Sequence, residues 1–434
     1  MPHRWDQWLL LRLYQITFAL ILLGFVLAFP LWVFSSKRRA TLFKRLGWQQ
    51  YPRPGRPTRR PVWIHALSIG ELLSAGNLIQ RLRREIGDRP LYLSVSTASA
   101  FAMAQDRFRG CCDGLFYFPY DVGFAVSRCF EAIDPSLLLL IETDIWPLFL
   151  DEVRRRQVPC VLVNGRLSPG SFLTYRRLRR LFEPTFNSFH GIYPQSAGEA
   201  ERYLALGVVA ERLRHVGNLK FDVAAAVPNR EAVAALREEF SISPHAPVLI
   251  AGSTHRGEEE IIRACFVRLR SRYTSLQLIV VPRHPQRASE VVALFQRDDA
   301  RAALASALDR PQAVVVVDRM GYLSRLYALA DVAVIGGSFV QKGGQNPIEP
   351  AACGKPVLFG PDMHDFPDVA MWLVNAGGAI QVDNEGGLYA ACDRLLSEPQ
   401  EAKAMGERAR RVVAEHQGAT ERVVEDVLTL LTGR

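Results

Sequence analysis

Two carboxylates follow apolar segments typical of buried strands, and both are candidates for acid–base chemistry. Glu71 ends the segment HALSIGE and opens a helix, whose N-terminus stabilises an ionised carboxylate. Such a carboxylate could act as a general base, although an acid at a helix start is also common without that role. Glu142 begins ETDIWP after the apolar run SLLLLI. That position fits a group that tunes a neighbouring pKa or binds a sugar hydroxyl, and it equally fits an N-terminal cap.

Arginines in the same half of the chain predict an anionic ligand. The segment NGRLSPGSFLTYRRLRR spans residues 164–180 and crowds several of them onto one helix. Arginine forks bind phosphate bidentately, although such a run is also typical of a solvated helix face. Small residues before Glu71 permit a tight turn. We therefore predict acceptor-binding positions at Ser68, Gly70, Arg166, Arg176 and Arg177.

The second half of the chain carries glycine-containing turns after apolar segments. AGSTHRGEEE (251–260) and IGGSFVQKGGQNPIEP (335–350) each open a helix, and VPRHP (281–285) places Arg283 and His284 after a strand. Backbone N–H groups in such turns hold phosphate without a metal, although they also serve as simple strand-to-helix connections. Neither G-x-G-x-x-G, nor G-x-x-x-x-G-K-[ST], nor D-x-D is present, so we expect no dinucleotide, no P-loop, no metal and no cofactor. The turns indicate nucleotide binding by Ser253, Thr254, Arg283, His284 and Gly337.

Short apolar runs, which predict strands, alternate with longer amphipathic ones, which predict helices such as 71–85, and this alternation predicts parallel β-α-β units. The predicted strands are VWIHA, LYLSV, GLFYFP, SLLLLIE, CVLVN, GIYPQ, PVLIAGST, LQLIVVP, AVVVVD, DVAVIGGS, KPVLFG and GAIQV. The alternation pauses near residues 222–247 and then restarts, so the fold class is α/β with two doubly wound, Rossmann-like halves. Ligands bind beyond the carboxyl ends of parallel strands, which predicts a site in a cleft between the halves. The predicted domains are an acceptor-binding domain at 61–222, a linker at 223–245, a donor-binding domain at 246–399 and C-terminal helices at 400–434 that pack back on the first domain.

The first 36 residues are interpreted as an uncleaved membrane anchor. Residues 16–34 are almost wholly apolar, and about 20 such residues can cross a bilayer. A cleaved signal peptide fits less well, because no A-x-A site follows and the downstream flank SSKRRATLFKR is basic. The basic flank predicts a cytoplasmic position for the remainder and an inner-membrane location. Whether the anchor spans the bilayer or lies embedded in it stays open.

The net charge of +9 is concentrated at the N-terminus. Residues 1–60 carry +10, largely in the basic linker 37–60, whereas residues 61–434 sum to −1. This distribution of charge therefore does not indicate a nucleic-acid partner. It indicates that the N-terminal part of the chain binds an anionic inner-membrane surface. Seven cysteines without C-x-x-C spacing indicate neither a disulfide framework nor a zinc site.

Several blocks, in order, resemble the 3-deoxy-D-manno-octulosonic acid (Kdo) transferases of lipid A biosynthesis. They are the anchor, WIHALSIGE, ETDIWP, NGRLSPGSFLTYRR, GNLKFD, AGSTHRGEEE, PRHP and GGSFVQKGGQNPIEPAACGKPVLFGP, reaching to about residue 361. The resemblance implies a GT-B fold, a CMP-Kdo donor and the tetraacyl bisphosphorylated lipid A precursor as acceptor. It matches Glu71 to the family's proposed general base and Glu142 to a second acid. The donor-binding positions that it adds are Lys220, Ser338, Asn346 and Glu349.

One block departs from the family, in which H-G-G-H-N-P is usual where this chain reads KGGQNP. Gln345 cannot become a cation, so a proton-linked role there is in doubt, and Lys342 could supply the charge. Two alternatives to this function stay open from the residues. One is another GT-B enzyme, a transferase with a different donor or a nucleotide-sugar epimerase. The other is a membrane-tethered nucleotide-sugar-binding protein without turnover.

Overall fold

A computed structural model describes residues 10–17, 20, 36–52, 59–142, 145–223, 228–298 and 301–432. Most of the predicted anchor, residues 1–36, lies outside the described residues, as does part of the linker at 53–58. Residues 10–17 are helical. Among the helices that are described, none has the length and apolar character needed to cross a membrane.

The contacts divide the chain into two compact units. The first comprises residues 1–223 together with 418–434, and the second comprises residues 224–417. The chain therefore passes from one unit to the other at 223/224 and returns at 417/418. Each unit is built around its own parallel sheet.

Within the described residues, the first unit has a six-stranded sheet in the order β3-β2-β1-β4-β5-β6. All of its pairings are parallel, which confirms the predicted doubly wound α/β architecture. The strands are β1 (Val62–Ala66), β2 (Leu91–Val95), β3 (Gly114–Tyr117), β4 (Leu137–Ile141), β5 (Cys160–Gly165) and β6 (Gly191–Pro194). The helices before the crossing are α1 (Ser36–Arg45), α2 (Ile69–Ser74), α3 (Gly76–Glu85), α4 (Ala98–Arg107), α5 (Gly123–Ile133), α6 (Pro147–Arg155), α7 (Pro169–Arg177), α8 (Arg179–Phe186), α9 (Ala197–Ala205) and α10 (Leu219–Val223).

Alternate residues of each strand feed two separate cores, one on each face of the sheet. Val62 and Ile64 pack into the core beneath α2, α3 and α4, whereas Trp63 packs with Phe130 and Phe149 on the opposite face. Because both faces are covered, the strands are apolar throughout, as expected for a parallel sheet. His65 in β1 is fully buried and stacks on Phe118, and its Nδ1 lies 2.9 Å from Ser94 Oγ. The sheet is thus covered on both faces, and Glu71 and Glu142 follow the carboxyl ends of its strands β1 and β4.

The second unit has, in the part of the chain that the structure describes, a seven-stranded parallel sheet in the order β13-β12-β11-β7-β8-β10-β9. Its strands are β7 (Val248–Thr254), β8 (Gln277–Pro282), β9 (Ala302–Leu304), β10 (Val314–Val316), β11 (Val332–Ile335), β12 (Val357–Phe359) and β13 (Ala379–Gln381). Its helices are α11 (Arg230–Glu239), α12 (Glu258–Arg272), α13 (Ala288–Phe295), α14 (Leu323–Leu326), α15 (Ile348–Ala352), α16 (Pro367–Asn375), α17 (Glu385–Ser397) and α18 (Pro399–Glu415).

The C-terminal stretch 400–434 contains two helices that belong to different units. Helix α18 packs on α15 and α17 of the second unit, whereas α19 (Ala419–Thr432) packs on α3 and α10 of the first. The chain turns between them at Gly418, whose φ of 90° is in the left-handed region that favours glycine. Of the residues that we expected to pack back on the first domain, only those from Gly418 onward do so.

Asp222 joins the two places where the chain leaves and re-enters the first unit. Its carboxylate accepts hydrogen bonds from the N–H groups of Gly418 at 2.7 Å and Thr420 at 2.6 Å. Its carbonyl accepts a hydrogen bond from Asn77 Nδ2 at 2.9 Å. The carboxylate therefore caps the N-terminus of α19 from a distant part of the sequence.

We expect Asp222→Ala to lower the free energy of unfolding of the first unit by about 1–2 kcal/mol, since it removes the cap of α19. Chemical denaturation followed by circular dichroism measures the change. Glu421→Gln is the matched control, because Glu421 lies in the first turn of the same helix and its side chain is exposed. An Asp222→Ala protein as stable as the Glu421→Gln protein would contradict this role.

Candidate active site

Glu71 is held at the carboxyl end of β1 by the start of helix α2. Ser68 caps this helix, and its Oγ accepts a hydrogen bond from the Glu71 N–H at 3.4 Å. In return, Glu71 Oε2 accepts a hydrogen bond from the Leu67 N–H at 2.6 Å. The helix N-terminus and this N–H both favour the ionised carboxylate. Glu71 is largely buried, with 6% of its surface exposed, and Gly70 beside it is exposed.

Glu142 follows the neighbouring strand β4 and is the centre of a buried polar cluster. Its Oε1 lies 3.3 Å from Ser74 Oγ, 3.3 Å from Asn164 Nδ2 and 3.3 Å from Lys220 Nζ. The Ser74 hydroxyl shares its proton between Glu142 and the backbone carbonyl of Glu71, which is 2.9 Å away, so it joins the Glu142 side chain to the main chain of α2. The structure thus brings Glu71 and Glu142 to one edge of one sheet. Asp144 lies outside the described residues.

The backbone at this edge adopts an unusual conformation at two consecutive strand ends. Glu142 directly after β4 has a φ of 66°, and Asn164, the penultimate residue of β5, has a φ of 60°. Left-handed backbone is costly for residues other than glycine and persists where surrounding contacts hold it. Asn164 is held from both sides, because its Oδ1 accepts the Leu219 N–H at 3.1 Å and its carbonyl accepts Gln195 Nε2 at 3.0 Å. These contacts fix Lys220 beside Glu142 in the first unit.

The arginines predicted for the acceptor lie on the next segment of the same unit. Arg166 is partly exposed directly after β5, and Arg176 and Arg177 are exposed in the last turn of α7. Helix α7 has no buried residue among those described, and its Leu173 is 55% exposed. Arg176 and Arg177 therefore lie on an open helix face, whereas Arg166 is joined to the edge that carries Glu142, because its N–H donates to the Glu142 carbonyl at 3.1 Å.

In the second unit, the end of β7 is built from buried charges. Thr254 is buried and donates its hydroxyl to Glu259 Oε1 at 3.0 Å. Glu259 also forms a bidentate ion pair with Arg287, whose two terminal guanidinium nitrogens lie 2.9 and 3.2 Å from the two carboxylate oxygens. The Thr254 side chain is thus occupied within the protein, whereas Ser253 beside it is partly exposed with a φ of 56°.

The glycine loop after β11 uses its polar groups to join two strand ends. Ser338 is fully buried, its Oγ donates to the Ile335 carbonyl at 2.6 Å, and it accepts the Gly360 N–H at 2.8 Å. Gly337 has a φ of 72° and donates its N–H to Glu258. The Ser338 hydroxyl therefore ties β11 to β12, and any contact of this loop with a ligand has to come from other groups.

Asn346 and Glu349 lie together at the start of α15. Asn346 Oδ1 accepts the Ile348 N–H at 3.0 Å, and its Nδ2 donates to Glu349 Oε1 at 3.3 Å. The apolar surroundings of Glu349 raise its pKa to about 7, against which the hydrogen bond from Asn346 acts. Both residues keep partial exposure, and Gln345 before them does too.

Arg283 and His284 are exposed directly after β8, with the Arg283 N–H bonded to the Thr254 carbonyl at 2.9 Å. The ring of His284 lies 6.4 Å from that of His255, between ring centroids. These side chains are therefore on the same edge of the sheet as the glycine loop. In the described ranges, no group of three or more His, Cys, Asp or Glu side chains is arranged to hold a metal ion.

Comparison with known proteins relates this arrangement to one family. Residues 40–223 match the family model described as 3-deoxy-D-manno-octulosonic-acid transferase (kdotransferase). A 3-deoxy-D-manno-octulosonic acid transferase of Bordetella pertussis is 31% identical, with 94% of this chain and 97% of that protein covered. The transferase of that name from Haemophilus influenzae is 30% identical over 90% of this chain and 91% of that protein. The chain belongs to the Kdo transferase family.

This Kdo transferase is thus a glycosyltransferase, as the sequence motifs predicted. A solved UDP-N-acetylglucosamine 2-epimerase has the same fold, with a TM-score of 0.61, 16% identity, and 87% of this chain and 98% of that chain covered. That similarity concerns the fold alone and confirms the predicted GT-B architecture. The predicted anchor is not tested by it.

Three polar residues of the Kdo transferase escaped the sequence reasoning. Asn164 and Ser74 bind Glu142, and Glu258 binds the glycine loop. Asn164 lies at the end of an apolar strand, next to the strand that Glu142 follows, so its position was a signal for it. Ser74 is the last residue of α2 and Glu258 is the first residue of α12, and a polar residue at a helix end is ordinary and carries no such signal.

Proposed function

We propose that this Kdo transferase moves Kdo from CMP-Kdo to the 6′-hydroxyl of the tetraacyl bisphosphorylated lipid A precursor. The observation that carries the proposal is the Glu71 carboxylate, which is fixed at a helix N-terminus by the Leu67 N–H, at the sheet edge where Glu142 also lies. An ionised carboxylate held in this way is suited to remove a proton from a hydroxyl group. Glu71 is the proposed general base, and Glu142 is proposed to position and charge-balance the site.

The proposed reaction is a single displacement at the anomeric carbon of Kdo. The acceptor oxygen forms a bond to this carbon, its proton passes to Glu71, and the bond to the CMP phosphate oxygen breaks. CMP leaves with the electron pair of that bond. A phosphate monoester is already a good leaving group, so the protein has to supply a base, a position and a neutralising charge.

Donor binding is proposed for the sheet edge of the second unit. Support comes from the exposed guanidinium of Arg283, the exposed imidazole of His284, the partly exposed Ser253, and the pair Asn346–Glu349. The Glu349 carboxylate is suited to accept hydrogen bonds from ribose hydroxyls. We propose that Gly337, Thr254 and Ser338 hold this edge in place and do not contact the donor through these groups. The Gly337 N–H and the hydroxyl groups of Thr254 and Ser338 already donate hydrogen bonds within the protein. Lys220 is proposed to act through Glu142 in the first unit.

Acceptor binding is proposed for helix α7 of the first unit. Two leucines are exposed there, Leu173 in the helix at 55% and Leu178 directly after it at 49%. The guanidinium groups of Arg176 and Arg177 are exposed on the same segment. The acyl chains of a phosphorylated lipid can pack on the two leucines, and its phosphate groups can bind the two arginines. Arg166 after β5, together with Ser68 and Gly70 near Glu71, completes the proposed acceptor side.

An inner-membrane location, with the catalytic units cytoplasmic, is proposed as well. Three aromatic side chains form an exposed row beside α1, with Phe43 and Trp48 each 55% exposed and Phe124 54% exposed. Consecutive ring centroids in this row are 6.2 Å apart. Phe43 and Trp48 lie within the basic segment 37–60. Exposed aromatic rings together with basic side chains suit binding to an anionic membrane surface. No nucleic-acid partner is proposed.

We expect the transfer to continue at full rate in EDTA, because base, position and charge are all provided by side chains and backbone. Purified protein assayed with and without the chelator measures this directly. A control with added Mg²⁺ should show no gain. An activity lost in EDTA and restored by Mg²⁺ would contradict a metal-independent reaction.

The proposed function is tested by incubating the purified full chain with CMP-Kdo and the lipid A precursor. Mass spectrometry of the lipid is expected to show one or more added Kdo residues, attached at the 6′ position. Competition by CMP but not by UDP separates this activity from that of a UDP-sugar enzyme with the same fold. A lipid of unchanged mass would overturn the proposal.

A further inference from the structure

A buried carboxylate without a role in the proposed reaction ties the glycine loop after β11 to the end of β7. Glu258 is the first residue of α12 and is fully buried. Its Oε2 accepts hydrogen bonds from the His255 N–H at 2.7 Å and from the Gly337 N–H at 2.6 Å. One oxygen atom therefore connects two loops that follow neighbouring strands.

The same loop is fixed by backbone contacts that leave no space for side chains. The Gly336 N–H donates to the Gly252 carbonyl at 2.8 Å, and a Cβ at Gly336 would lie 2.4 Å from the Ser253 carbonyl oxygen. Gly337 adopts a φ of 72°, which directs its N–H to Glu258. The path of the loop thus depends on the backbone of β7 and on Glu258, together with the Ser338–Gly360 contact and the Asp362 carboxylate, which accepts the Gly343 N–H at 2.8 Å.

Residues of the proposed donor site are built on this loop. The Gly344 N–H donates to the Gly337 carbonyl at 3.0 Å, and the Gln345 N–H donates to the Gly336 carbonyl at 2.9 Å. Asn346 follows directly and holds Glu349. A shift of Gly337 would therefore displace the segment that carries Asn346.

We propose that Glu258 is a positioning residue for donor binding, because its ionised carboxylate holds Gly337 and through it the segment 344–349. The proposal rests on the proposed function, in which this edge of the second unit binds the CMP part of the donor. Glu258 itself is buried and is not expected to touch the donor.

The charges around Glu258 make its ionisation finely balanced. Burial raises the pKa of Glu258 to about 7, while the N–H groups of Gly337, His255 and Phe339 lower it and Glu259 raises it further. The His255 ring lies 3.5 Å away, between Nδ1 and Oε2. The other charged or titratable groups on the packed elements are His284, Arg283 and Lys342, which act on His255, and Arg287, which neutralises Glu259.

The sign of the stability effect follows from this raised pKa. Between the ordinary value of 4.5 and about 7, the folded protein holds a proton that the unfolded chain has lost. Ionised Glu258 therefore lowers stability as the pH rises through this range. A glutamine at position 258 can still accept the two N–H groups, but its neutral oxygen is a weaker acceptor than the carboxylate, and the cost of the buried charge at pH 8 is removed. A loss of donor binding without a loss of stability therefore separates positioning from structural support alone.

The experiment compares the full-length wild type with Glu258→Gln and with the control Glu260→Gln, which removes an exposed charge from the same helical turn. The probe is CMP, with its Kd measured by calorimetry at pH 8 and pH 6, together with KM and kcat for CMP-Kdo and Tm. We expect Glu258→Gln to raise both Kd and KM about tenfold at pH 8, with kcat within threefold and Tm unchanged or higher. Glu260→Gln should match the wild type.

The pH series adds a second readout. The ratio of the Kd of Glu258→Gln to that of the wild type should fall towards one at pH 6, since the wild-type carboxyl is then protonated. The CMP phosphate titrates in both experiments and cancels in this ratio. Unchanged CMP binding in Glu258→Gln, or a lowered Tm with kcat and KM both impaired, would overturn the proposal. A wild type that transfers Kdo yet has no affinity for CMP would overturn it as well, whereas a wild type without transfer would overturn the proposed function.

Discussion

Replacing Glu71 by glutamine is expected to reduce the rate of Kdo transfer by about a thousandfold, while the Kd for CMP stays unchanged. Glutamine keeps the shape of the side chain and can still accept the Leu67 N–H, so helix α2 should remain intact. It cannot take a proton from the acceptor hydroxyl. The change should therefore appear in kcat alone, measured with both substrates at saturation.

Glu85→Gln is the matched control for this experiment. Glu85 ends the neighbouring helix α3, where it is exposed and paired with Arg81 at 2.7 Å. Exposed ion pairs contribute little, so this variant should retain wild-type turnover. If Glu71→Gln kept more than a tenth of the wild-type kcat, Glu71 would not be the base.

The second large effect is expected at Glu142. Glu142→Gln removes the carboxylate that pairs with Lys220 in a mostly buried position, and we expect a loss of about 2 kcal/mol in the free energy of unfolding. This value is below that of a fully buried pair because 20% of the Lys220 side chain is exposed. We also expect kcat to fall about a hundredfold, because Ser74 and Asn164 lose the anion that orients them.

A double variant separates stability from activity at this position. Adding Lys220→Met to Glu142→Gln removes the cation whose partner was lost, so part of the stability should return. The activity should not return, since the carboxylate is still missing. Urea denaturation and turnover of the two single variants and the double variant provide the comparison. Wild-type stability in Glu142→Gln would show that the pair contributes nothing to the first unit.

The sequence predicted most strands closely, because a parallel sheet covered on both faces makes its strands continuously apolar. VWIHA and LYLSV match β1 and β2 at both ends. The strand that escaped is β9, three residues at the edge of the second sheet with the sequence AAL. Two alanines and a leucine have neither β-branching nor alternation, so composition gave no indication of a strand there.

Helix boundaries were less predictable where packing decides them. Residues 71–85 read as one helix, yet the structure has α2 and α3 with a break at Ala75, a residue that no propensity scale would choose as a break. At the C-terminus, by contrast, Gly418 is a recognisable stop between α18 and α19. What the sequence could not show is that the helix after this stop belongs to the other unit.

At the candidate site, motifs located the residues but not their partners. Thr254 and Ser338 belong to polar turns that suggest ligand contact, yet both hydroxyls bind within the protein. Their burial arises from the approach of strands that are distant in sequence, such as β11 and β12. Glu71 was predictable because its helix start, Ser68 included, is local in the chain.

The hydrogen bonds of Asp222 also define how the two units are connected. Because the carboxylate of residue 222 binds the N–H groups of residues 418 and 420, the chain leaves and re-enters the first unit at adjacent points. The second unit is therefore topologically an insertion within the first, and the last helix is the continuation of the fold that the insertion interrupts. A short linker across this gap would excise residues 224–417 and leave the first sheet with all of its covering helices.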